Sequence, residues 1–209
     1  MKNPWLAIPL TDYEQHMALP YVGQSELMSD AVAEALRQYR PSSMAIVGCA
    51  GGNGLERVIG AGVQRVIGID INESYVQCAQ QRFGDRIPGL NLIVGDIEAT
   101  EFDFEPVDLV FAGLLFEYVD THRALKNIRS MLLPGGVLKA VLQLPSQAAS
   151  VTPSPYRSLE LLSPILRLIP PERFASHAEK SGFSVLSRQI VVANGGKQFA
   201  VQSLRANDV

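Results

Sequence analysis

Four glycines fall within the seven residues Gly48-Cys49-Ala50-Gly51-Gly52-Asn53-Gly54, and an acid, Asp70, closes the next apolar run. A turn this dense in glycine lets the backbone reverse sharply and lets another molecule come close to it. Ala45-Ile46-Val47 precedes the turn as a short apolar run, as expected of a buried parallel strand. Leu55 to Ile59 is expected to open a helix whose first N–H groups point back at the turn. Val66-Ile67-Gly68-Ile69-Asp70 then reads as a second strand.

Strand, glycine loop, helix, strand and acid in that order form the grammar of a nucleotide-binding Rossmann-like unit. In such a unit the acid accepts from two ribose hydroxyls. A bare turn with no ligand is the plain alternative for three glycines alone. The matching strand and acid favour a cofactor site, with the nucleotide undecided at this point.

The rest of the chain must position these groups. Ser25 is expected to cap a helix to about Tyr39, with Leu27, Met28, Ala31, Val32, Ala35 and Leu36 as its inner stripe. Asn72 caps a second helix with Tyr75, Val76, Ala79 and Phe83 inward. Leu90 to Val94 and Val107 to Ala112 read as strands, the latter running to Gly113. Asp120 caps the next helix, Leu133-Pro134-Gly135-Gly136 is a sharp stop, and Val137 to Leu144 is a fifth strand. Residues 145–171 are rich in proline and form an insertion with a short helix, either a lid or an interaction surface. Pro171 to Gly182 is a helix, and Ser184 to Val192 and Gln198 to Leu204 form a hairpin around Asn194-Gly195-Gly196. The expected fold is a single α/β domain over 1–209. Its sheet is Rossmann-like, doubly wound, mostly parallel and seven-stranded, with an antiparallel C-terminal hairpin.

Residues 1–24 are broken by Pro4, Pro9 and Pro20. Tyr13, His16 and Met17 can share one face of a short helix, as an arm packed on the body or as a lid over the cofactor. With 47% apolar and 19% charged residues, the chain suits a globular enzyme. A net charge of -3 argues against nucleic acid as the main partner. Cys49 and Cys78 are too few for a disulfide framework and read as packing residues. No leader and no membrane-length apolar run is apparent, so the expected location is the cytoplasm, with no membrane partner.

Taken together, these pieces resemble the class I S-adenosylmethionine-dependent methyltransferases over about residues 25–205. Gly48 to Gly54 is similar to the family's first motif, Asp70 to its ribose acid, and Asp96-Ile97 to the pair flanking the adenine. The Leu133 to Gly136 turn and the terminal hairpin also match, because the family inserts its seventh strand antiparallel beside the fifth. The resemblance implies S-adenosyl-L-methionine as cofactor. It implies that Gly48, Cys49, Ala50, Gly52 and Asn53 lie along the methionyl end, with the helix N-terminus favouring its carboxylate. Asp70 would accept from the ribose and Ile71 would pack on the adenine. Asp96 would accept from the adenine amine, Ile97 would supply an N–H, and Gly113 would close the site. Two departures stand out. Ile46 occupies the position of a usual acid, and Ala50 that of a usual glycine.

The segment Gly113 to Asp120 follows strand four, where open α/β sheets place their sites. There Phe116 and Tyr118, with Tyr13 from the arm, are expected to wall a small-molecule acceptor. Glu117 is a candidate base or acceptor-orienting group, with a solvated loop carboxylate as the alternative. His16 is a second catalytic candidate, whereas His122 and His177 read as surface residues. No metal signature is present, and the oligomeric state is not legible. Two rival readings remain. Gly48-x-x-Gly51-x-x-Gly54 also fits an NAD(P)-dependent oxidoreductase, though no Tyr-x-x-x-Lys pair follows strand four. The fold could also serve a catalytically silent protein that binds cofactor or a partner protein without turnover, using 145–171 as its interface.

Overall fold

Strand β1 (Ser43–Val47) is buried along its whole length, and its side chains alternate between two cores. Ala45 and Val47 enter one core, Met44 and Ile46 the other. This is why the run reads as continuously apolar rather than alternating. β1 pairs in parallel with β2 (Arg65–Asp70) and β4 (Val107–Gly113). β3 (Leu90–Val94) extends the sheet beyond β2, and β5 (Leu132–Gln143) extends it beyond β4. The last two strands, β6 (Phe183–Val192) and β7 (Gln198–Ala206), run antiparallel, with β7 inserted beside β5. The full order is β3-β2-β1-β4-β5-β7-β6. The computed structural model describes residues 3–146 and 149–208. Parts of the arm and of the 145–171 insertion therefore lie outside the described residues.

Helices cover both faces. α4 (Thr121–Met131) and α5 (Pro171–Lys180) bury Leu125, Ile128 and Phe174 in one core. α2 (Gln24–Tyr39) and the end of α3 (Glu73–Phe83) close the other through Met28, Val32, Leu36 and Phe83. A third, small cluster joins Ile8 of the arm to Leu159 and Leu162 of the insertion. Asn72 and Asp120 cap α3 and α4 as expected, their side chains accepting from the N–H groups of Ser74 and Arg123. α2 instead starts after Gly23, which takes φ +61°, and Ser25 lies inside the helix.

Three local expectations are corrected. Leu55 to Ile59 does not open a helix, and only a 3₁₀ turn forms at Leu55–Arg57. Gly54, Gly60 and Gly62 all take positive φ, so the span between them is too short to repay helix nucleation. Leu133 to Gly136 is an excursion within β5, where pairing moves from Val107 with Leu132 to Leu109 with Val137. The insertion's short helix is a 3₁₀ segment at Arg157–Leu162.

Phe116 also belongs to the fold and not to an acceptor wall. It is 1% exposed, and its ring meets Phe174 edge-on at 4.6 Å. Phe116→Ala should therefore lower stability by about 3–5 kcal/mol, as for other buried aromatics. Urea unfolding measures this, and a loss under about 1 kcal/mol would mean that Phe116 is not a core residue.

Candidate functional site

The carboxyl ends of β1, β2 and β4 open into a cavity with about 730 Å³ of unfilled space, its open mouth included. Its floor is built by Gly48, Ala50, Asp70, Ile71, Asp96, Ile97 and Gly113. The loop is held in shape before any ligand arrives. Gly48 and Cys49 both donate their N–H to the Ile69 carbonyl, at 2.8 and 3.1 Å. Ala50, at φ +47°, donates to Asp70 Oδ2 at 2.8 Å, while Asp70 Oδ1 accepts from the Asn72 N–H at 2.9 Å. Burial pushes the Asp70 carboxyl above its usual range, and the N–H groups of Asn72 and Ala50 pull it back. Two neighbouring glycines serve close packing. A Cβ on Gly52 would overlap the Phe83 ring, and one on Gly51 would crowd Leu10, Glu14 and Arg82.

Not every residue expected in this cavity lines it. Cys49 is fully buried behind the loop with its Sγ near the Cα of Gly68, and Gly52 faces Phe83. Asn53 is hydrogen-bonded to the Tyr13 side chain, reaching the site through the arm. The expected helix N-terminus for a ligand carboxylate is absent, since a single 3₁₀ turn follows Gly54. Gly54 N–H is taken by Glu56 Oε2 at 3.0 Å.

The roof comes from the N-terminal arm. α1 (Leu10–Ala18) carries Tyr13, His16 and Met17 inward, and Trp5 lies in a 3₁₀ turn before it. Trp5 meets Tyr13 and Tyr118 edge-on at 5.6 and 5.1 Å, and Tyr13 stacks on Tyr75 at 6.4 Å. Tyr75 Oη donates to the Ile8 carbonyl, and Asn72 Nδ2 donates to the Trp5 carbonyl, both at 2.9 Å. Arg82 pairs with Glu14 and also donates to the Gly51 carbonyl at 3.1 Å, clamping α1 onto the glycine loop. The arm thus packs on the body and covers the site at once. Trp5 and Asn3 were not among the expected site residues. The only signal was the chain's sole tryptophan in a proline-broken segment.

Behind the same aromatic wall lies a second cavity, lined by His16, Glu117, Gln143 and Lys197. Trp5, Tyr13, Leu114 and Tyr118 line both cavities. Leu114 takes φ +54° at the end of β4, a strained setting for so large a side chain. His16 is 5% exposed, with Nδ1 2.9 Å from Ser154 Oγ. Burial and the Lys197 ammonium lower its pKa, so it is held neutral. Glu117 is 2% exposed, and its Oε1 accepts from the Gln143 N–H at 2.6 Å. Its Oε2 is buried with no hydrogen-bond partner among the described residues. Burial pushes its carboxyl up to about 7, against the pull of the Gln143 N–H. Phenols Tyr13 and Tyr118 are raised by burial and by the Asp70 and Glu117 carboxylates respectively, so both stay protonated. His122 and His177 stack at 4.2 Å away from both cavities, and His177 Nδ1 is buried with no hydrogen-bond partner among the described residues.

Residues 45–140 match the model of a methyltransferase domain. That stretch, just under half of the chain, is what resembles the methyltransferases in sequence. Over 101 residues it is 33% identical to trans-aconitate 2-methyltransferase of Rhizobium rhizogenes. That match covers 47% of this chain and spans only 37% of the relative's length. Among solved structures, an S-adenosylmethionine-dependent methyltransferase from Mesorhizobium loti superposes with a TM-score of 0.67 at 18% identity. It covers 85% of this chain and 99% of the other. Magnesium protoporphyrin IX methyltransferase from Synechocystis, with bound SAH, gives 0.70 at 14% identity over 93% of each chain. At such identities the structures establish the methyltransferase fold. No described helix is long and apolar enough to cross a membrane, and no described group of His, Cys, Asp and Glu could hold a metal.

In this methyltransferase fold the raised Glu117 has a measurable signature. Folding favours its protonated form, so its contribution is present at acid pH and is lost as pH rises through about 7. Between pH 5 and 8 the wild type should lose up to about 3 kcal/mol of stability relative to Glu117→Gln. Urea titrations across that range test this, and parallel curves would show an ordinary carboxylate.

Proposed function

We propose that this protein transfers a methyl group from S-adenosylmethionine to a small-molecule acceptor held in the second cavity. The shared wall of Trp5, Tyr13, Leu114 and Tyr118 carries this reading, because it sets a donor cavity and an acceptor cavity side by side. The name of the 33% identical relative supports a small acceptor and makes trans-aconitate the first to assay.

The first cavity suits the cofactor. The carboxylate of Asp70 still has lone pairs for two hydroxyls, Ile71 and Ile97 offer apolar faces, and Asp96 lines the same wall. When bound, the cofactor supplies an electrophilic methyl on a sulfonium that leaves as a neutral thioether. The protein's part is then mainly positioning and the exclusion of water, which the aromatic roof performs. Glu117 Oε2 is the group placed to accept a hydrogen bond or a proton from the acceptor, and with a pKa near 7 it can change state at neutral pH. His16, held neutral, orients on the Ser154 hydroxyl at the far side.

Calorimetry with S-adenosylmethionine, S-adenosylhomocysteine, NAD and NADP should show binding of the first two only. Tight nicotinamide binding would replace this reading with an oxidoreductase, and cofactor binding without methyl transfer to any acceptor would leave a silent fold. Asp70→Ala should weaken S-adenosylhomocysteine binding by about 1.5–3 kcal/mol, roughly ten- to a hundredfold or slightly more. It also frees the Ala50 and Asn72 N–H groups, so circular dichroism should accompany the titration to score folding. Glu117→Gln should lower kcat and leave S-adenosylhomocysteine affinity unchanged, since Glu117 lines only the second cavity.

A further inference from the structure

Lys197 is a buried cation with no counter-ion among the described residues. It is 7% exposed and lines the second cavity, and no described carboxylate lies within ion-pair distance of it. The fold's other buried lysine, Lys139, has Glu34 at 3.6 Å. Among the described residues, Lys197 Nζ donates to the neutral Ser150 carbonyl, at 2.6 Å. That carbonyl is already satisfied by Gln143 Nε2 at 2.9 Å, so the fold does not need an ammonium there. Burying a charge is costly unless an opposite charge meets it.

The surroundings do not supply that charge. His16 is neutral, and Glu117, which lines the same cavity outside ion-pair distance, has its carboxyl held toward the protonated form. Burial pushes the Lys197 ammonium down to about 8, leaving it mostly charged at neutral pH. The lysine is also placed deliberately by the backbone. It follows the Asn194-Gly195-Gly196 turn, whose Gly195 admits the Tyr21 carbonyl so closely that any Cβ would overlap it. The hairpin is thereby docked on the α1–α2 link, which brings Lys197 to His16.

We propose that the acceptor is a carboxylic acid whose carboxylate seats on the Lys197 ammonium in the second cavity. This deepens the methyltransferase reading and rests on it for the word acceptor. One cation matches one carboxylate, whereas a dianionic phosphate would have to face Glu117 with half its charge unmet.

Ligand-observed NMR titrations of the full chain, loaded with S-adenosylhomocysteine, test the assignment. The probes are succinate and benzoate against succinamide and benzamide, on wild type, Lys197→Met and Lys197→Arg. Both carboxylates should bind wild type and the Arg variant, and bind the Met variant about tenfold or more weakly. The amides should bind all three weakly. Three results overturn the proposal: carboxylates that fail to bind wild type, amides that bind as well as carboxylates, or a Met variant that holds carboxylates as tightly. The last would make Lys197 a strut for Ser150. Affinity for S-adenosylhomocysteine, measured on each sample, reports folding and tests the cofactor reading separately. If it is absent in wild type, the methyltransferase reading fails, while the titrations, run on the unloaded chain, still decide the carboxylate seat.

Discussion

The Asp70 carboxylate joins three things that would otherwise be independent: the glycine loop, the end of β2 and the start of α3. One oxygen accepts from Ala50 in the left-handed region, and the other from Asn72, which caps α3. A residue with a Cβ rarely takes that backbone conformation unless its surroundings hold it there. The same two bonds oppose the upward shift that burial imposes on the carboxyl. The loop is thus shaped by protein groups alone, and the acid that would meet a ribose is already aimed. Because a carboxylate offers more lone pairs than these N–H groups use, its structural role leaves room for the proposed ribose contact.

The arm roofs this shaped floor. Its hold is polar at the ends, through Arg82 with Glu14 and Gly51, and apolar in the middle, through Ile8 and Met17 in two separate clusters. The ion pair is half exposed and worth little alone. Burial of Trp5, Tyr13 and Tyr118 against one another does most of the work. An aromatic wall with cavities on both sides is well suited to a reaction that needs alignment and dryness more than proton chemistry.

The second cavity departs from ordinary packing economy. A core residue gains from burial, but among the described residues Glu117 is buried with Oε2 lacking a hydrogen-bond partner and Lys197 is buried with no carboxylate at ion-pair distance. They are linked through Gln143, whose N–H serves Glu117 and whose amide shares the Ser150 carbonyl with Lys197. Such an arrangement costs stability and makes sense where a ligand completes it.

By itself the sequence determined the sheet, the parallel order, the hairpin and the floor of the first cavity. Gly48, Asp70 and Gly113 sit at strand ends, which are written locally as apolar runs closed by turn residues or acids, whereas Asp96 and Ile97, just past β3, were implied only by the family resemblance. Tertiary structure decided what local pattern cannot express. Spacing gave Phe116 and Tyr118 the same standing, yet Phe174 from α5 drew one into the core and Trp5 from the arm drew the other to the cavities. Leu55 to Ile59 has helical neighbours in sequence, but positive-φ glycines on either side stop it after one turn. Lys197 carries no motif at all. Its meaning comes from a hairpin turn pressed against Tyr21 and a carbonyl at Ser150, groups far apart in the chain that only folding brings together. Charge burial is a property of that three-dimensional neighbourhood, and no window of sequence contains it.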